Sequence, residues 1–130
     1  ITLTKNKKVI PMHCVSSYPL KAKDCNFHKF QYLKKFYKQV GYSGHYQGIE
    51  DALYAIENGA ILIEKHFTTN NNLAGRDNKF ALLPKDFKFL SDYIKTRNNF
   101  QNKKGLGLQK CEEDVYKNYR GRWQKKLQSS

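Results

Sequence analysis

Apolar residues in the first half of the chain fall into short runs separated by helical spacings. Residues 9–15 form a short apolar run that predicts a buried strand. Apolar positions every three or four residues then predict a helix over residues 27–40, which Asp24 or Asn26 can cap. Glycines bracket a very short second strand at residues 40–43. The first half therefore predicts a strand, a helix and a second strand.

The second half of the chain repeats this alternation. Residues 48–58 predict a helix that ends at Gly59, and residues 60–64 are the clearest strand in the sequence. A polar loop rich in asparagine follows at residues 68–77. Pro84 then begins a third helix.

Beyond residue 97 the hydrophobic pattern weakens. Residues 103–107 predict a flexible stretch, and residues 112–127 predict a final, highly charged helix. We expect residues 101–130 to form a basic C-terminal tail that is helical in part.

The order of strands and helices predicts the fold class. Strands separated by helices of ten or more residues are parallel and joined by right-handed crossovers. Three such strands with helices on one side are typical of an arc of a (β/α)₈ barrel, whose usual size is about 250 residues. We expect residues 1–100 to be the last three βα units of a TIM barrel. A small three-layer sandwich is the alternative.

Composition limits the class of protein further. The 130 residues carry 24 Lys plus Arg against 11 Asp plus Glu, a net charge of +13, which favours anionic partners such as phosphates or nucleic acid. A hydrophobic content of 39% is too high for a disordered tail. The sequence has neither a membrane-length apolar run nor a signal-peptide pattern, so we expect a cytoplasmic protein that does not contact membranes.

The three cysteines show no CxxC spacing, which argues against a disulfide scaffold or a thiolate zinc site. Cys14 falls within the first predicted strand and is expected to be buried and inert.

Polar side chains follow each predicted strand, where parallel sheets collect their functional groups. Alternation along the third strand places Glu64 and His66 on the face opposite the apolar side chains that meet the helices. The same alternation places Ser43 and His45 on that inner face. Ser16 and Tyr18 share it if the first strand extends that far.

His45 and His66 should therefore lie at equivalent heights on neighbouring strands. Two neutral imidazoles suit a borderline divalent metal such as Mn²⁺, Co²⁺ or Zn²⁺, with coordination positions left for water and substrate. From the residues alone, two merely hydrogen-bonded histidines at the strand ends are the alternative. His13 is expected to be a satisfied core histidine, and His28 a solvated one.

These clusters, in this order, resemble the sialic acid synthase family. The matching motifs lie within residues 9–97 and comprise residues 13–19, 24–27, 40–45, 48–50, 59–60, 63–68 and 75–77. The resemblance implies a (β/α)₈ barrel that condenses phosphoenolpyruvate with an N-acetylmannosamine-type sugar. The products would be a nine-carbon 2-keto acid and phosphate.

The resemblance also implies roles for individual residues. The metal, most often Mn²⁺ with Mg²⁺ or Co²⁺ as alternatives, would be held by His45 and His66. Substrate contacts would come from Ser16 and Ser43 for phosphoenolpyruvate and from Tyr18 for the sugar, with Glu64 and Asp77 as the catalytic carboxylates. Family members often carry Asp where this chain has Gly44, so one carboxylate near the metal is expected to be missing.

The resemblance begins at the family's sixth strand, so the phosphate-binding lysines and a further catalytic carboxylate lie outside this sequence. We expect a fragment or split-gene product that associates with an N-terminal half or a homo-oligomer partner and is inactive alone. Two alternatives stay open. One is a basic nucleic-acid-binding module, against which the absence of a recognition motif counts. The other is a non-catalytic scaffold remnant that docks on a full-length homologue.

Overall fold

A computed structural model describes residues 9–121, where three parallel strands alternate with helices. The strands are β1 (Met12–Cys14), β2 (Gly41–Gly44) and β3 (Leu62–Lys65); the helices are α1 (Phe27–Lys34), α2 (Glu50–Glu57), α3 (Pro84–Phe100) and α4 (Glu113–Tyr119). Two short 3₁₀ turns occupy Ala22–Asp24 and Lys110–Glu112. The sheet order is β1-β2-β3, and both strand pairs are parallel, as the sequence predicts.

One face of the sheet is open. Cys14 is level with Ser43, and Ser43 is level with Glu64, so these three side chains point to the same side. Cys14 and Glu64 are exposed there. The expectation that Cys14 is buried was therefore wrong, because strand alternation turns His13 rather than Cys14 toward the helices.

The other face is covered by α1 and α2. It carries His13, Tyr42 and Lys65, which are at most 6% exposed. His13 Nε2 lies 2.8 Å from the carbonyl oxygen of Cys25, so this histidine is a hydrogen-bonded core residue, as predicted. Phe30 of α1 is completely buried.

A second cluster of buried side chains lies between α2, β3 and α3. Its members are Ala52, Ile56, Leu82 and Leu90. Ile63 of β3 packs against this cluster, as the apolar pattern predicts, whereas Ile61 and Phe67 on the same side of the chain are 51% and 54% exposed. Gly59 ends α2 with a φ of +89°, a conformation that glycine adopts at little cost.

The helix α1 ends at Lys34, earlier than its apolar pattern predicts. The backbone N–H groups of Phe36 and Tyr37 both donate to the carbonyl of Leu33, which tightens the turn that returns the chain to β2. Asn26 precedes α1 in a left-handed conformation (φ 47°) and forms no side-chain cap. Asparagine tolerates this conformation better than most residues do, so its backbone, not its side chain, shapes the helix entry.

The contacts divide the chain into two units, Ile1–Arg97 and Asn98–Ser130. The described part of the second unit contains α4 and, directly before it, the 3₁₀ turn Lys110–Glu112. The start of that turn is capped where the Gln109 N–H donates to the Glu112 carboxylate at 2.7 Å. The predicted helix over 112–127 is thus found as Glu113–Tyr119, and its residues from 122 onward lie outside the described part. Among residues 9–121, no helix has the length and apolar character needed to cross a bilayer.

Candidate metal and substrate site

Two isolated backbone bridges extend the parallel pattern beyond the ends of the strands and hold the predicted histidines. The N–H of Leu20 donates to the carbonyl of His45 at 2.8 Å, in a bridge between Leu20 and Tyr46. The N–H of Leu82 donates to the carbonyl of His66, also at 2.8 Å. Both histidine backbones are therefore anchored by segments that come from loops, after β1 and after β3 respectively.

The two imidazoles converge on one side of the sheet. Their ring centroids are 5.2 Å apart, and the ring planes are inclined by 66°. A ring nitrogen bonds a divalent cation such as zinc at about 2.1 Å, which places the ring centre roughly 3.3 Å from the ion. Two rings that share an ion at octahedral to tetrahedral angles are then about 4.7 to 5.4 Å apart. The observed separation fits joint coordination.

The hydrogen bond of His45 leaves one ring nitrogen available. His45 is 4% exposed, and its Nδ1 lies 2.8 Å from the carbonyl oxygen of Val15. Because a carbonyl only accepts, this contact assigns the ring proton to Nδ1 and leaves the lone pair on Nε2. The Cys14 Sγ lies 4.0 Å from the same Nδ1.

His66 has a comparable arrangement with a carboxylate. Asp77 Oδ2 lies 3.6 Å from His66 Nδ1, and the two side chains are 28% and 46% exposed. A carboxylate beside Nδ1 favours the proton on that nitrogen and again leaves the lone pair on Nε2. The polar loop thus returns Asp77 to the end of the strand that carries His66.

Aromatic rings border the two histidines. The ring of Tyr18 lies 4.3 Å from that of His45 and 6.0 Å from that of His66. Phe80, which is 5% exposed, lies 5.1 Å from the His66 ring. The sequence pattern indicated Tyr18 but missed Phe80, because the approach of Phe80 depends on the pairing of the 80–82 segment with the end of β3.

Ser43 and Glu64 form a polar pair on the open face. The Ser43 hydroxyl donates to Glu64 Oε2 at 2.6 Å. This bond orients the carboxylate, and it also occupies the one proton that the serine can donate. The two residues are brought together by their strand register, which is what the alternation pattern predicts.

Ser16 is exposed in the loop after β1, next to Val15. Within residues 9–121 it forms no hydrogen bond to either imidazole. The structure thus brings together His45, His66, Tyr18 and Asp77, places the Ser43–Glu64 pair on the same face, and leaves Ser16 at the margin.

The described residues contribute only two candidate metal ligands. In the ranges that the structure covers, no group of three or more His, Cys, Asp and Glu side chains is arranged to hold a metal ion. Further ligands to an ion between His45 and His66 would therefore be water, substrate or groups outside these residues.

A buried ion pair lies on the opposite side of the sheet. Lys65 Nζ donates to Asp51 Oδ1 at 2.8 Å and to Oδ2 at 2.9 Å, and both side chains are 2% exposed. The Tyr42 hydroxyl donates to the same carboxylate at 3.0 Å, and burial together with the Asp51 charge raises the pKa of Tyr42 far above its usual value. The sequence signal for this pair was a lysine on the helix-facing side of a strand, because a buried lysine needs an acidic partner.

Gly44 makes room for that ion pair. A Cβ at this position would collide with the Asp51 carboxylate and lie 2.7 Å from the Tyr42 ring. The sequence predicted a missing carboxylate at position 44. A side chain at that position would point toward the Asp51 carboxylate on the helix side, away from the imidazoles, so the prediction that it bears on the metal was wrong.

Comparisons with known proteins agree with this architecture. The model of the NeuB family matches residues 1–105. The N,N′-diacetyllegionaminic acid synthase of Campylobacter jejuni is 36% identical over 115 residues, which are 88% of this chain and 34% of that protein. The N-acetylneuraminate-9-phosphate synthase of Drosophila melanogaster is 39% identical over 85 residues, 64% of this chain and 23% of that protein.

A solved structure extends the likeness to the fold. The N-acetylneuraminic acid synthetase of Leptospira borgpetersenii, crystallised with citrate, superposes with a TM-score of 0.66 at 33% identity, over 93% of this chain and 41% of that one. The chain spans about a third of the length of the curated relatives that it matches over most of its own length. Its three parallel strands and their helices correspond to part of the TIM barrel of these synthases, and the chain belongs to the NeuB family.

Proposed function

We propose that this chain supplies the metal-binding corner, and part of both substrate pockets, of a synthase that condenses phosphoenolpyruvate with an N-acetylated hexose. Relatives named as N,N′-diacetyllegionaminic acid, pseudaminic acid and N-acetylneuraminate-9-phosphate synthases support the general reaction. The observation that carries the proposal is the 5.2 Å approach of the His45 and His66 rings, each beside a partner at Nδ1.

The two Nε2 atoms would hold a divalent ion, with Mn²⁺ as the first candidate and Mg²⁺ or Co²⁺ as alternatives. When bound, such an ion supplies Lewis acidity toward the aldehyde oxygen of the sugar. The Val15 carbonyl and the Asp77 carboxylate, each beside an Nδ1 atom, would favour the tautomer that this role needs.

The remaining residues would position substrates and handle protons. In the reaction, C3 of phosphoenolpyruvate bonds to the aldehyde carbon, the aldehyde oxygen gains a proton, water adds at C2, and phosphate leaves. Glu64 and Asp77 would accept hydrogen bonds from sugar hydroxyls and exchange protons with them. Tyr18 offers its ring face beside His45. Ser43 and Ser16 would donate to phosphoenolpyruvate oxygens, for which Ser43 has to release Glu64.

Turnover would also need the strands that complete the barrel. The face of the sheet that carries Glu64 is exposed in the described residues, with Leu62 46% exposed beside it. A parallel sheet is stable with both faces covered, so we propose that further polypeptide of the same family, on this chain or on a partner, covers this face.

Calorimetric titration of the chain with Mn²⁺ tests the metal role. We expect one site in the wild type, and loss of measurable binding in His45→Ala and in His66→Ala. His28→Ala is the matched control because His28 is an exposed residue of α1, and it should bind as the wild type does. Unchanged Mn²⁺ affinity in both site variants would refute the proposal.

A reconstitution assay tests the requirement for the rest of the barrel. The chain would be mixed with the first five βα units of the Campylobacter jejuni legionaminic acid synthase, and phosphate release from phosphoenolpyruvate would be followed with the N-acetylated hexose present. We expect product only from the mixture. Product from the chain alone would refute this part of the proposal.

A further inference from the structure

We infer that Lys65 is a positioning residue. Its buried ammonium group joins β3 to the backbone just after β2 and thereby sets the separation of His45 and His66. The inference rests on the proposed function in one respect, namely that the two imidazoles act as a pair. Its structural basis is a set of contacts on the helix side of the sheet, opposite the open face that carries Ser43 and Glu64.

The Lys65 ammonium has three oxygen partners. Two are the carboxylate oxygens of Asp51, and the third is the carbonyl oxygen of Tyr46 at 2.7 Å. Three acceptors match the three N–H donors of an ammonium group, so the group is fully satisfied although it is buried.

The third contact crosses between the two strands next to the histidines. Tyr46 directly follows His45, and Lys65 directly precedes His66. The paired register of β2 and β3 ends where Gly44 is level with Lys65. Beyond that point, the hydrogen bond from the Lys65 side chain to the Tyr46 carbonyl replaces the next backbone hydrogen bond between these strands.

The backbone of Tyr46 is also held on the side that faces β1. The bridge to Leu20 holds the segment after β2 against the loop after β1. Lys65 draws the same segment toward β3. With both contacts present, the backbone that carries His45 has little freedom to move away from His66, and the ring separation follows from it.

The ion pair by itself does not require a lysine here. A buried pair can often be replaced by apolar side chains of similar volume at little cost in stability, whereas removal of one partner is strongly destabilising. An apolar pair would fill the same space between α2 and β3. It could not donate to the Tyr46 carbonyl, so this donation is the feature that distinguishes positioning from packing.

The test compares the wild-type chain with the double variant Asp51→Leu/Lys65→Met. Asp51→Asn/Lys65→Met is a second variant that keeps an acceptor for the Tyr42 hydroxyl. Lys88→Met is the matched control, because it removes an exposed lysine that pairs with Asp92 on α3. Thermal unfolding of each variant establishes which of them are folded.

The first measurement is made without metal, as the nuclear Overhauser effect between ring protons of His45 and His66. We expect this effect in the wild type and in Lys88→Met, and a weakened or absent effect in the double variants. The second measurement is Mn²⁺ affinity, which should fall by about 10-fold in the folded double variants, within the range seen when groups supporting metal ligands are lost.

A folded double variant with the wild-type ring contact would overturn the inference, as would wild-type Mn²⁺ affinity in that variant. If one double variant fails to fold, the other decides. If the wild-type chain binds no Mn²⁺, the proposed metal role fails, but the ring contact in the metal-free protein still decides the role of Lys65.

Discussion

The three cysteines occupy different environments, which can be measured residue by residue. Cys25 is 6% exposed, and burial, followed by the nearby Asp51 charge, raises the pKa of its thiol. Cys14 and Cys111 are exposed. Because the thiolate is the reactive form, we expect Ellman's reagent to modify two thiols rapidly and the third only on unfolding.

The variant Cys25→Ala assigns the slow thiol. It should remove the slow phase and leave two rapid equivalents. Three rapid equivalents in the native wild-type chain would contradict the burial of Cys25 beside Tyr42 and Asp51.

Tyr42 should make stability depend on alkaline pH. Its pKa is raised by burial and by the Asp51 charge, so above a pH of about 10 the unfolded chain loses the tyrosine proton while the folded chain keeps it. The unfolded state then binds fewer protons, and the free energy of unfolding falls as pH rises, by at most about 1.4 kcal/mol per pH unit. The contribution is fully present below that pH.

Tyr42→Phe should remove this alkaline slope and cost about 1.5–3 kcal/mol at neutral pH, because it deletes a buried hydrogen bond to a charged group. Urea unfolding between pH 7 and 11 measures both effects. Parallel curves for the wild type and the variant would contradict the assigned role of the hydroxyl.

At the scale of the elements, β2 and α2 approach closely at Gly44. Gly44→Ala places a methyl group against the Asp51 carboxylate and the Tyr42 ring, so we expect a loss of about 1–3 kcal/mol in the free energy of unfolding. Gly107→Ala is the control, since nothing lies within 4 Å of its added Cβ, and its effect should stay within about 0.5 kcal/mol. Equal effects of the two substitutions would show that β2 and α2 are not packed as described.

The local pattern of the sequence predicted the features that depend on alternation within one element. The convergence of Ser43 with Glu64 is one example, and the separation of Ile63 from Glu64 on the third strand is another. Both follow because a strand reverses its side chains at every residue.

Features that depend on how loops return to the sheet were not predictable in this way. Phe80 reaches His66 only because the 80–82 segment pairs with the end of β3. The early end of α1 has the same origin, since the apolar positions after Lys34 continue a helical pattern that the return to β2 interrupts. In both cases the path of a loop back to the sheet, which alternation within one element does not specify, determined the outcome.

At the scale of the whole molecule, the sheet has one face packed and one face exposed within the described residues. Cys14 is exposed on the open face, so the reaction rate of its thiol measures how accessible that face is. In a Cys111→Ser chain, the rapid thiol should be Cys14, and its modification should slow when the complementary barrel units are added. An unchanged rate in a mixture that forms a complex would contradict coverage of this face.

One ion held by two imidazoles is the central feature of the proposed site. Crystals of the chain grown with Mn²⁺, or of its complex with the complementary units, allow the ion to be located by anomalous diffraction at the manganese edge. We predict one peak, about 2 Å from a ring nitrogen of His45 and of His66. A peak elsewhere, or fully loaded protein with no peak between these rings, would contradict joint coordination by His45 and His66.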